Sequence, residues 1–207
     1  DVCSSDLSMK SSSKADLYER PSMARTYFER LQKRPDRALS LFGPRQIGKT
    51  TFLNNDLARV AAEAGITPLY VDLMLSKAPL KSINAALADE LYALRSRKLK
   101  QSVKSVGLMG ASVAMEAPPT PPQSSDEGVQ MRHLTAQLLA QSGTKGILLM
   151  LDEFQEITRL GEAGTDAIRA IRALFNQYKT TGQFLLLMTG SSQAELVSSC
   201  LHRPPSP

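Results

Sequence analysis

The sequence predicts an α/β domain in which a parallel sheet is covered by helices on both faces. Three observations carry this. Short apolar runs alternate with stretches whose apolar residues recur at helical spacing, the order expected of strands joined by crossover helices. Two of the runs, "GILLMLDEF" (146–154) and "QFLLLMTGSS" (183–192), are nearly continuous in apolar residues, as strands buried on both faces must be. Between a strand-like run and a helical stretch stands "GPRQIGKT" (43–50), two glycines followed by Lys and Thr at the spacing of a phosphate-binding loop.

The elements follow in order. After a Ser/Lys-rich lead, Pro21 to Lys33 reads as a helix, with Pro suited to its first turn and Met23, Tyr27, Phe28 and Leu31 at helical spacing. "RALSLF" (37–42) is a short strand that delivers the chain to Gly43. A helix from Lys49 carries Phe52, Leu53, Leu57 and Val60 and stops at Gly65. "LYVDL" (69–73), preceded by Thr67-Pro68, is a second strand. Leu80, Ile83, Leu87, Leu91 and Leu94 form a helical stripe that ends in "RSRKLKQSVK". Residues 103–127 read as irregular, the first half a small hairpin and the second a flexible proline-rich loop. Met131, Leu134 and Leu138 mark a helix ended by Gly143, and Ile168, Ile171, Leu174 and Phe175 mark one between the two long apolar runs.

Composition limits the function. The 207 residues suit one domain, and 42% hydrophobic with 22% charged content is ordinary for a globular chain. Aromatics are few and Trp is absent, which argues against a base-stacking surface. A net charge of +5 permits a nucleic-acid partner without requiring one. No stretch reaches the length of a membrane helix, and the start lacks the apolar segment of a signal peptide, so a cytoplasmic location is expected. Cys3 and Cys200 offer no disulfide framework, and His133 reads as a polar helix-face residue with no zinc partners. Residues 1–14 and 198–207 are expected to be disordered or artefactual ends, with Met9 a candidate start and a different natural continuation after about Val197. The domain is then expected over 15–197.

Three groups carry chemistry. Gly43 and Gly48 let the backbone of Gly43, Pro44, Arg45, Gln46, Ile47, Gly48, Lys49, Thr50 and Thr51 wrap a phosphate closely. Backbone N–H groups and the following helix N-terminus then meet its charge. Lys49 is suited to the β- and γ-phosphates and the Thr50 hydroxyl to Mg²⁺. Asp152 and Glu153 end a buried strand, where ligands of open α/β sheets bind. Asp152 is a candidate metal ligand, and Glu153 is a candidate base for a water facing the γ-phosphate. Thr189, Ser191 and Ser192 follow the next buried strand and offer hydroxyls to the same mouth, although Gly and Ser there also suit an ordinary turn.

"FGPRQIGKTTFL", "LYVDL", "LLMLDEFQEI" and "LLLMTGSSQAEL", in this order, resemble the ATPase domains of the STAND-like bacterial and archaeal branch of the AAA+ superfamily. The resemblance covers about residues 15–197. It implies a three-layer P-loop NTPase core, with 43–50 as Walker A, Asp152-Glu153 as Walker B with its catalytic glutamate, and 189–192 as sensor 1. It places the sensor strand between the Walker A and Walker B strands. It also implies a fifth strand, a C-terminal lid and a sensor 2 that this chain does not contain, leaving the Walker A strand as an edge. Tyr18 to Pro21 would line the adenine pocket, and the cofactors would be ATP and Mg²⁺. The absence of an Asn-Lys-x-Asp guanine-reading pattern agrees with ATP.

The expected activity is Mg²⁺-dependent ATP hydrolysis that couples nucleotide state to a protein partner or to self-association, without a membrane. A nucleotide switch with little turnover, a DNA-associated ATPase and a small-molecule P-loop kinase are the alternatives. Arg169 and Arg172 are candidates to face a neighbouring subunit but read more simply as a solvated helix face. Arg45 is expected to pack or salt-bridge near the phosphates. The basic run Arg95, Arg97, Lys98, Lys100 and Lys104 suits either nucleic-acid phosphates or a solvated helix end.

Overall fold

The computed structural model describes residues 19–191 apart from 75, 106–125, 142 and 179, with side chains described outside 98–105. Four strands form one parallel sheet in the order β1-β4-β3-β2: β1 (Ala38–Phe42), β2 (Ile66–Asp72), β3 (Gly146–Asp152) and β4 (Phe184–Gly190). The strand carrying Thr189 therefore lies between the strand before the phosphate loop and the strand ending in Asp152, as the resemblance implied. Every residue of β3 and of β4 is buried, which is why both read as continuous apolar runs.

Their side chains alternate between two cores. Leu148, Met150, Leu185 and Leu187 pack with α1 (Pro21–Lys33) and with the helical run after the phosphate loop. That run comprises α2 (Lys49–Thr51), a π-helical stretch (Phe52–Leu57) and α3 (Ala58–Glu63). Ile147, Leu149, Leu151, Phe184, Leu186 and Met188 face the other way. There they meet α4 (Pro79–Ser105), α5 (Glu127–Leu139), the short α6 (Gln155–Thr158) and α7 (Gly161–Tyr178). Helices on both sides of a two-faced sheet give the three expected layers.

Several boundaries differ from the sequence reading. Thr67 and Pro68 belong to β2, and Leu73 lies beyond its end. Pro is tolerated there because β2 is an edge of the described sheet, where a missing N–H need not break a ladder. β1 begins at Ala38 because Arg37 has a φ of 47°, outside the extended region. The Leu80–Leu94 helix continues through the basic run to Ser105, since Lys, Arg, Leu and Gln are good helix formers and no Pro or Gly intervenes. Glu127 opens α5, capped by the Asp126 carboxylate, which accepts from Gly128 N at 2.8 Å and Val129 N at 3.1 Å. The hairpin and proline-rich loop expected within 103–127 lie outside the described residues except at these two ends, as do the leader and tail. No helix among the described residues is long and apolar enough to cross a membrane.

Candidate functional site

The phosphate loop leaves β1 beside the end of β4: Gly43 N donates to Gly190 O at 3.4 Å. Gln46 and Gly48 both adopt left-handed backbone, with φ of 65° and 83°. That curvature turns successive N–H groups into a concave nest and leads directly into the helical run from Lys49. Lys49 Nζ donates to Gly43 O at 2.8 Å and Pro44 O at 3.0 Å, so the ammonium folds over the loop's own carbonyls. Arg45 is exposed, lines the cavity beside Lys49 and Thr50, and forms no ion pair among the described residues.

Asp152 is the hub of the site. It is 2% exposed, and four donors from four parts of the chain converge on its carboxylate. Oδ2 accepts from Thr50 Oγ1 at 2.6 Å and from the Tyr70 hydroxyl at 3.0 Å. Oδ1 accepts from Glu153 N at 3.0 Å and from the Thr189 hydroxyl. Strand register explains the convergence, because β2, β3 and β4 run parallel and end together, with Asp72 opposite Asp152 and Met188 opposite Leu151. Burial first, and then the charge of Asp152, push the Tyr70 phenol well above its ordinary range, so it stays a donor.

Glu153 follows with a φ of 51°, a left-handed conformation rare for a residue with a side chain. It borders a cavity of about 400 Å³ that Lys49, Thr50 and Arg45 also line. The side-chain amide of Gln155, itself 2% exposed, donates to the Glu153 carboxylate and, at 3.2 Å, to Ser191 Oγ. Thus Thr189 and Ser191 each join the acidic pair, one directly and one through Gln155. Ser192 and Tyr18 lie outside the described residues.

Sequence reasoning missed Tyr70, Gln155 and Asp56. Tyr70 had a signal in strand alternation, which puts it on one face with Asp72 near the end of β2. Gln155, two residues past Glu153, had none without the register of β4. Asp56 is a buried acid on the π-helical stretch. The other candidates lie apart: Arg169 bonds Asp166 at 3.4 Å on an exposed face of α7, and Arg97 sits 4.0 Å from Glu90. His133 pairs with Gln137 at 2.8 Å on an exposed helix face.

The donor set suits Mg²⁺. Thr50 and Asp152 present hard oxygens side by side, and no group of three His, Cys, Asp or Glu side chains that could cage a metal exists among the described residues. Mg²⁺ is commonly held by one or two protein oxygens completed by phosphates and water.

No curated protein matches the chain. Among solved structures, the Walker-type ATPase paby2304 of Pyrococcus abyssi is similar at 18% identity with a TM-score of 0.48. That similarity covers 90% of this chain and 49% of the other, so the chain spans about half of that protein's length. The family model described as the AAA ATPase domain matches residues 22–187, from the first turn of α1 into β4. A match over that much of the sequence, containing the loop, Asp152 and Glu153, makes this chain a member of the AAA ATPase domain family, with an AAA+ P-loop core.

Proposed function

We propose that residues 15–197 bind ATP with Mg²⁺ and hydrolyse it, coupling nucleotide state to a protein partner or to self-association. The observation that carries this reading is the 2.6 Å contact between Thr50, at the end of the phosphate loop, and Asp152, at the end of β3. In this reading Lys49 leaves the Gly43 and Pro44 carbonyls for the phosphates, and the N–H nest from Gln46 to Thr50 holds their oxygens. Thr50 and Asp152 would hold Mg²⁺, which would supply positive charge to offset that of the β- and γ-phosphates. The Glu153 carboxylate orients a water and takes its proton as the water oxygen attacks the γ-phosphorus. The bond to the β–γ bridging oxygen breaks, and ADP and phosphate leave. Tyr70 and Thr189 keep Asp152 aimed at Thr50 by holding its two oxygens.

The test is ATP binding and phosphate release by the full chain. Glu153→Gln should bind ATP as before while release falls by about a hundredfold or more, and Lys49→Ala should lose binding. Turnover unchanged in Glu153→Gln would refute the assignment.

One observation favours a second reading, a nucleotide switch with little turnover. Gln155 ties down the Glu153 carboxylate that would have to engage water. Comparing shape and oligomeric state with ADP and with ATP would separate the two, since a switch must differ between them and a plain hydrolase need not.

A further inference from the structure

A second cavity, of about 310 Å³, opens on the side of the phosphate loop away from Asp152. Gln46, Gly48 and Thr51 line both cavities, so the two adjoin along the loop. A nucleotide whose phosphates occupy the loop, with its metal on the Asp152 side, has this space left for its base. The walls suit a flat ring. Ile47 is an apolar side chain left 42% exposed on the loop, and Phe52 packs edge-to-face with Tyr27, ring centroids 5.9 Å apart. Arg20 closes the end, its guanidinium donating to Ile47 O at 3.2 Å.

The polar group of this cavity is Asp56, 2% exposed and placed by the π-helical stretch that follows the loop. Such wide turns recur at functional positions. Its Oδ2 accepts from Arg20 N at 3.1 Å. Its Oδ1 has no hydrogen-bond donor among the described residues, and the half-exposed Arg59 lies 3.8 Å away, within ion-pair range but beyond hydrogen-bond distance. A buried carboxylate oxygen without a donor is costly and calls for one from a ligand.

Resting on the nucleotide-binding reading above, we infer that Asp56 selects the base: its Oδ1 accepts a hydrogen bond from the 6-amino group of adenine. One oxygen, buried, lacks a hydrogen-bond donor and the other is committed to Arg20, so the group matches a single exocyclic amine. The two adjacent donors of guanine would need both oxygens, and the 6-oxo group of guanine or hypoxanthine would meet the carboxylate acceptor to acceptor. Asp56 thereby disfavours 6-oxo purines as well as favouring adenine.

The experiment is competition against radiolabelled ATP on the full chain with Mg²⁺, using ATP, purine riboside triphosphate (no 6-amino group), ITP and GTP. The wild type should favour ATP over purine riboside triphosphate by about tenfold or more, the worth of one hydrogen bond to a charged group, with ITP and GTP weaker still. In Asp56→Asn the carbonyl can keep the Arg20 bond while the amide N–H replaces Oδ1. The ATP advantage should then shrink toward parity, and ITP and GTP should gain. Wild-type indifference to the 6-substituent, or an Asp56→Asn profile like the wild type's, would overturn the inference while leaving nucleotide binding intact. Binding of none of the four by the wild type would instead remove the nucleotide reading and this inference with it. Should Asp56→Asn not fold, the wild-type series alone decides.

Discussion

At the scale of single residues, the site is built around one carboxylate. Asp152 takes four hydrogen bonds, and each donor sits on a different part of the chain. Removing one donor leaves one oxygen of this buried carboxylate with a single hydrogen bond, and a lost hydrogen bond to a charged group costs about 1–3 kcal/mol. Thr189→Val should therefore lower stability by about that much and raise the Mg²⁺ concentration needed for half-maximal activity, whereas Thr189→Ser should stay near the wild type on both. A Thr189→Val protein with unchanged stability and Mg²⁺ response would mean the hydroxyl does not hold Asp152. The loop and the acidic pair were legible in the sequence because their meaning is local: glycines at fixed spacing, and acids ending an apolar run. Tyr70, Gln155 and Asp56 were not, because each acquires its role from what the fold brings against it. Tyr70 and Asp152 stand 82 positions apart, and the Arg20–Asp56 bond spans 36.

At the scale of elements, legibility followed burial. The two central strands could be read from their continuous apolar runs, and the 13-residue α1 from its helical periodicity. The ends of β2 and α4 could not. Pro68 is a penalty in a strand until the strand is known to be an edge, and a basic run looks like a helix end when it can equally prolong the helix. The short turn between α1 and β1 offers an electrostatic test. Arg34 donates twice to Asp36, at 2.8 Å each, and this hydrogen bonding holds the Asp36 carboxyl below its usual range against an opposing effect of burial. A lowered carboxyl stabilises above its unfolded value and loses that contribution as pH falls through its folded value. Both side chains are about half exposed, so the pair is worth only about 0.2–1 kcal/mol. Asp36→Asn should thus melt slightly below the wild type at pH 7, with the gap closing as pH drops below about 4. A gap independent of pH would assign the effect to packing.

At the scale of the whole molecule, the sheet order is what assembles the site. Placing β4 between β1 and β3 brings the phosphate loop, the acidic pair and the Thr189–Ser191 hydroxyls to one end of the sheet, although the loop and Ser191 lie far apart in the sequence. The three-layer arrangement was readable from the alternation of runs and stripes; the juxtaposition within it followed from the family resemblance and from the register. One residue draws on the stability of the whole. Glu153 keeps a side chain in left-handed backbone, a conformation that costs a residue other than glycine roughly 1–2 kcal/mol. Glu153→Gly should therefore melt higher than Glu153→Gln, by up to about 1 kcal/mol once the greater freedom of unfolded glycine is deducted; equal melting would show the backbone there to be unstrained. With Glu153 as the base proposed above, a lineage no longer selected for hydrolysis would over evolutionary time find glycine at this position an easy and lasting drift. Sturdier, silent descendants of such a domain would then be recognisable by an intact phosphate loop and an Asp-Gly where this chain has Asp-Glu.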